Sequence, residues 1–111
     1  MLVSRSSPFG GRTRTLVLLT LSIVQESFPR ELARVLGAPL SGIQQALRGL
    51  EEDGLVVGRT AGRTRLFRLN PRYFARGELV AYLRRLVEPE TELSSRIAAL
   101  RKRPRRTNKP S

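Results

Sequence analysis

Between residues 12 and 102 the apolar positions run mostly at helical spacing, interrupted once by a stretch of alternation. From Arg12 to about Glu26, Leu16, Leu19 and Ile23 fit one stripe, while Val17, Leu18, Leu21 and Val24 make the segment apolar nearly all round. A run of that length without Gly or Pro predicts a buried helix rather than a strand. "SFPRELARVLG" predicts a short second helix with Leu32, Val35 and Leu36 inward. Pro29 suits its first turn, Glu31 complements the positive end of its dipole, and Gly37 stops it. "APLSG" then turns the chain into a third helix, in which Leu40, Ile43, Leu47 and Leu50 share one face and form core. Gly54 ends that helix after the acidic run Glu51-Glu52-Asp53.

The period then changes. Two short runs, Leu55 to Arg59 and Arg63 to Leu69, flank "TAG" and read as a hairpin with Gly62 in its turn. In the second run Phe67 and Leu69 point one way, Leu66 and Arg68 the other. Asn70-Pro71 breaks the strand. A helix from about Tyr73 to Val87 follows, with the stripe Leu79, Tyr82, Leu83 and Leu86. Pro89 interrupts it, and Thr91 to Lys102 predicts a shorter helix with Leu93, Ile97 and Leu100 apolar.

Charge narrows the function. The 111 residues suit one modest domain, and 21 Lys and Arg against 9 Asp and Glu leave a net charge of +12. Most of the cations are arginine, whose fork fits phosphates and guanine edges, so a polyanion is expected, nucleic acid ahead of an acidic membrane. Without cysteine or histidine, disulfides, thiolate metal sites and the usual general base are all excluded. Ser, Thr and Tyr hydroxyls are scattered with no base beside them, so no catalytic site, cofactor or metal is expected. The longest apolar run, Leu16 to Val24, is too short to span a bilayer and lies far from any small-residue cleavage site. A cytoplasmic or nucleoid protein is the expectation.

Helix, turn, helix and basic hairpin make a support, a reader and an arm. A helix fits a major groove about 12 Å wide and presents the face that its apolar stripe leaves free. On the third helix that face is Ser41, Gly42, Gln44, Gln45 and Arg48. Gln can bond bidentately to adenine and Arg to guanine. Gly42 costs about 0.5–1 kcal/mol relative to alanine, which calls for close backbone approach to a phosphate or tight packing on the support helix. The acidic run should point away from phosphates. Arg59, Arg63 and Arg65 on the hairpin, with Arg68 beyond them, suit a phosphate strand or a narrow minor groove.

"RELARVLGAPLSGIQQALRGLEEDGLVVGRTAGRTRLFRLN" resembles the winged helix–turn–helix domain of bacterial and archaeal transcription regulators, most of all the arsenical-resistance-repressor (ArsR)-like and MarR-like groups. The pieces that carry the resemblance are "ELARVLG", "ALRGLEEDGLV" and "GRTRLFRLN", and the match spans residues 12–88. Two features depart from that pattern. Pro39 and Leu40 stand where polar capping residues commonly start the reader helix, and the Cys and His clusters of metal-sensing members are missing.

The resemblance implies a mostly α winged helix–turn–helix: a three-helix core, a two-stranded wing and C-terminal helical additions. The expected organisation is a flexible stretch over 1–11, a DNA-binding domain over 12–88, a helical extension over 89–102 and a basic disordered tail over 103–111. The expected function is sequence-specific binding of double-stranded DNA as a dimeric transcriptional regulator. The alternatives are a winged-helix interaction module without specific DNA binding, or an architectural nucleic-acid binder that relies on its tail. Surplus apolar surface on the first helix and on the helix after the wing points to a homodimer through those two elements.

Overall fold

A computed structural model of the chain describes residues 10–87 and 91–102. The elements, in order, are α1 (Arg12–Val24), α2 (Pro29–Leu36), α3 (Leu40–Glu52), β1 (Val56–Ala61), β2 (Thr64–Leu69), α4 (Arg76–Val87) and α5 (Thr91–Lys102). This is a mostly helical winged helix–turn–helix. The expectations for residues 1–9, 88–90 and 103–111 lie outside the described residues.

α1 is the centre of the molecule. Every residue from Thr15 to Leu21 is buried, because α2, α3, α4 and β2 all pack around it. Two of those residues are threonines. Their hydroxyls donate to carbonyls one turn back, Thr15 to Gly11 at 3.1 Å and Thr20 to Leu16 at 2.9 Å, so burial strands no hydroxyl donor.

Local chemistry sets the ends of the next two helices. Pro29 opens α2, and Gly37 closes it in the left-handed region at φ 62°. Arg96 of α5 donates to the Val35 carbonyl at 2.9 Å, placing a cation at the negative end of α2. At the end of α3 the Leu55 amide reaches back to the Leu50 carbonyl at 2.9 Å, across Gly54 at φ 81°. Both leucines are buried, as the apolar contact of such a cap requires. The inner face of α3 is Ile43, Ala46, Leu47 and Leu50. Leu40 is only half-buried: it starts the helix and has no preceding turn to pack beside it, so the stripe begins one residue group later than its spacing predicts.

The wing pairs Val56 with Leu69 through to Ala61 with Thr64. Only Gly62 and Arg63 remain in the turn, with Gly62 at φ 63°, the position at which a type II′ turn requires glycine. The strands therefore run closer to the tip than the "TAG" turn suggested. Ser27 adds a third short edge: it exchanges amide–carbonyl bonds of 3.0 and 2.8 Å with Phe67. Its hydroxyl donates to the buried Glu31 carboxylate at 2.6 Å, so Glu31 faces the interior of the sheet–helix junction rather than simply decorating a helix dipole. Gly58 faces Phe67 across the ladder. A Cβ there would lie 2.9 Å from the Phe67 ring and 2.6 Å from the Arg65 guanidinium.

α4 starts at Arg76, three residues later than Tyr73. Asn70 causes the delay: its side chain accepts the Arg72 amide at 2.9 Å and donates to the Gly54 carbonyl at 2.9 Å. Those bonds hold the segment in turns through Ala75. Leu79 and Leu83 are buried on α4, Leu93 and Ile97 on α5, and α4 packs on both α1 and α5. Most of the apolar surface expected to form a dimer interface through α1 and α4 is thus covered within one chain, while Ile23, Val24, Val80 and Leu86 stay half-buried. Tyr82, placed in the stripe by its spacing, is on the exposed side at 38%, and Phe74 is 91% exposed.

Leu83, with no exposed surface, should be a core residue rather than an interface residue. Leu83→Ala is expected to cost about 2–5 kcal/mol in urea unfolding, against no more than about 0.5 kcal/mol for Arg84→Ala on the outer face. Equal midpoints for the two variants would refute this packing.

Candidate nucleic-acid interface

On α3, Ser41, Gln44, Gln45 and Arg48 are exposed and Gly42 is half-buried. All five lie away from the buried stripe, as helical periodicity demands. Gly42, Gln45 and Arg48 line a shallow groove of about 730 Å³ together with Arg12, Thr13 and Arg14 of α1 and with Glu52; Ser41 and Gln44 stand outside it. The α1 arginines were not among the residues expected here. Nothing in sequence spacing joins residue 12 to residue 48; only the packing of α1 across α3 does. A Cβ on Gly42 would meet nothing within 4 Å. Tight packing on the support helix is therefore not the reason for this glycine, and its backbone stays open to the outside.

The wing arginines divide. Arg63 sits exposed at the turn and has no ion-pair partner among the described residues. Arg59 instead forks onto Glu26, its Nε donating to Oε2 at 3.0 Å and its Nη2 to Oε1 at 3.1 Å. The hydrogen bond and the charge of Glu26 raise the already high pKa of Arg59. Arg65 forks onto Glu51 in the last turn of α3, with contacts of 3.4 and 3.0 Å. Its guanidinium also lies 5.0 Å over the Phe67 ring, in the space that Gly58 leaves. Two of the three wing arginines expected to meet DNA are thus engaged by carboxylates of the chain itself, and the tip residue alone is unengaged.

Arg68 and Arg72 extend the cationic surface on the outer face of the sheet. They border a cleft of about 350 Å³ with Arg59, Glu26 and Leu66. The alternation of β2 gave a signal for Arg68, since it points opposite Phe67; Arg72 lies in the Asn70 turn, which periodicity does not describe.

The acidic run at the end of α3 engages arginines of the chain itself. Glu51 holds Arg65, and Asp53 is ion-paired with Arg14. Glu52 shares the groove of Arg12 and Arg48. Among the described residues no group of three or more His, Cys, Asp or Glu side chains could hold a metal ion, and no helix is long and apolar enough to cross a membrane.

No family model matches the sequence, and no curated protein sequence does. Solved structures do match. HlyU from Vibrio cholerae superposes with a TM-score of 0.57 at 26% identity, over 69% of this chain and 75% of its own. The adhesin competence repressor AdcR from Streptococcus pyogenes gives 0.59 at 18% identity, over 84% of this chain and 67% of its own. A ZitR variant from Lactococcus lactis in complex with DNA gives 0.55 at 19% identity, over 92% of this chain and 82% of its own. These neighbours are winged-helix transcription regulators. Sequences so far apart share the order of helices and the position of the wing because the buried positions, not the surface, define that arrangement. By that arrangement the chain is a winged helix–turn–helix protein with the fold of the ArsR-like and MarR-like regulators.

Proposed function

We propose that this protein binds double-stranded DNA in a sequence-specific manner and acts as a transcriptional regulator on the nucleoid, without catalytic chemistry, cofactor or metal. The DNA-binding unit in this reading is residues 12–88. The observation that carries it is the outer face of α3, where Gln44, Gln45 and Arg48 stand exposed beside a groove walled by Arg12 and Arg14. Amide and guanidinium groups on a helix seated in a major groove can read adenine and guanine edges. Ser41 and the open backbone at Gly42 suit phosphate contacts, which fix register without reading sequence. Arg63 reaches a phosphate or a minor groove from the wing. A net charge of +12 supplies the attraction, and the DNA-bound ZitR variant shows that a chain of this fold can be seated on a duplex.

The reading includes a homodimer on a two-fold symmetric site, since paired half-sites one helical turn apart are how such readers multiply their contacts. With α1 enclosed, the contact falls on the exposed aromatic residues around α4, Phe74 and Tyr82.

Selection from random duplexes tests binding, specificity and half-site spacing together. On the selected site, Arg48→Ala should cost about 1–3 kcal/mol and relax one base position. Arg63→Ala should weaken binding to all sequences and lower the log–log salt slope by about one unit. Arg59→Ala, whose guanidinium Glu26 already occupies, should leave that slope unchanged. No enriched sequence, or identical behaviour of the Arg63 and Arg59 variants, would overturn the assignment. For the dimer, Phe74→Ser combined with Tyr82→Ser should sediment as a folded monomer and weaken operator binding. A wild-type protein that is already monomeric at micromolar concentration, or a selected site without an inverted repeat, would exclude the dimer.

A further inference from the structure

Arginines from two other elements meet acids of a single short run at the end of α3. Arg65 of β2 forks onto Glu51, and Arg14 of α1 pairs with Asp53. Glu51 follows Arg48 by three residues and Gln44 by seven, so it lies on the same side of the helix as those two. The Arg65–Glu51 and Arg14–Asp53 pairs are partly open to solvent, with exposures of 48% and 36% in the first and 25% and 56% in the second. Arg65 is further held by the Phe67 ring 5.0 Å below it, so losing its carboxylate would not cost it its place.

Nonspecific affinity for DNA comes from cations that displace the counter-ions of phosphates. An arginine already paired with a carboxylate of its own protein releases none, and the carboxylate itself repels the backbone. We propose that Glu51 and Asp53 are specificity-determining residues: resident counter-ions that neutralise Arg65 and Arg14 beside the reading face. They hold down affinity for duplexes of arbitrary sequence, so that stable binding depends on the base contacts of Gln44, Gln45 and Arg48. This rests on the DNA-binding reading above and adds to it which residues set the ratio of specific to nonspecific binding.

The test uses the full chain and two fluorescent duplexes, one of random sequence and one carrying the selected site, titrated between about 50 and 200 mM salt. Glu51→Gln keeps the shape of the side chain and removes its charge. Glu78→Gln, on the exposed first turn of α4, makes the same change in net charge elsewhere. Glu51→Gln should raise affinity for the random duplex about tenfold near 0.1 M salt and steepen the log–log slope by about one unit. The ratio of specific to random binding should fall. Glu78→Gln should leave the slope as it is, and adding Arg65→Gln to Glu51→Gln should return the slope to the wild-type value. Arg65→Gln alone, which should leave the wild-type slope unchanged because Glu51 already neutralises Arg65, gives an independent second arm if circular dichroism shows the Glu51 variant unfolded. Equal behaviour of the Glu51 and Glu78 variants, or a gain that survives loss of Arg65, overturns the inference while leaving DNA binding in place. A wild-type protein that binds neither duplex at low salt overturns both.

Discussion

A helix that is apolar around its whole circumference has to be enclosed, and the rest of this fold follows from enclosing α1. Its buried stretch from Thr15 to Leu21 offers no face to water, so α2, α3, α4 and β2 are all drawn to it. At about 25 cal/mol per Å² of apolar surface, leaving even one side of such a helix bare would cost more than any single surface interaction could return. α2 and α3 are therefore located by a common neighbour, not only by the short turn between them. The same packing brings the N-terminal turn of α1 across α3, which is why Arg12 and Arg14 share a groove with Gln45 and Arg48.

The wing is tied to that body at its base and near its tip. At the base, Asn70 donates to the Gly54 carbonyl, and the Ser27 bridge joins β2 to the segment between α1 and α2. Near the tip, Arg65 reaches Glu51 on α3. The glycine at position 58 is what allows the second tie: any larger residue would meet both the Phe67 ring and the Arg65 guanidinium. A hairpin held at both ends presents Arg63 from a defined place relative to Arg48, which a hairpin attached only by its strands would not do.

Much of this was legible in the sequence. Proline and glycine punctuation located α2, the end of α3 and the wing turn, and helical spacing found the buried faces of α3 and α5. The late start of α4 comes from the Asn70 turn; the misread burials share another cause, that periodicity reports which side of an element is apolar but not what covers it. Leu40 has the right phase and too few neighbours. Tyr82 has the right phase for α4, yet Leu79 and Leu83 occupy the contact with α1 and α5. The surplus apolar surface of α1 looked like an intermolecular interface because no sequence pattern says that four elements of the same chain will close over it. In the candidate site the exposed face of α3 was legible for the same reason as its core. The engagement of Arg59 by Glu26 and of Arg65 by Glu51 was not, since those pairs join residues 33 and 14 positions apart.

Those pairs also have a useful strength. Ion pairs open to solvent contribute about 0–1 kcal/mol each, so Arg65–Glu51 and Arg14–Asp53 stabilise the fold little. They are nevertheless sufficient to orient a guanidinium in the absence of a stronger partner. A duplex offers such a partner, because a phosphate contact releases a condensed counter-ion and is worth about tenfold in affinity near 0.1 M salt, or about 1.4 kcal/mol. The two energies are close enough that the arginines can stay with their carboxylates or exchange to phosphates according to how well the rest of the surface fits. A basic protein with all of its arginines unpaired would bind every duplex it met. In the proposed DNA-binding role, acids at the end of α3 would make the outcome depend on the neighbouring side chains that can distinguish one base pair from another.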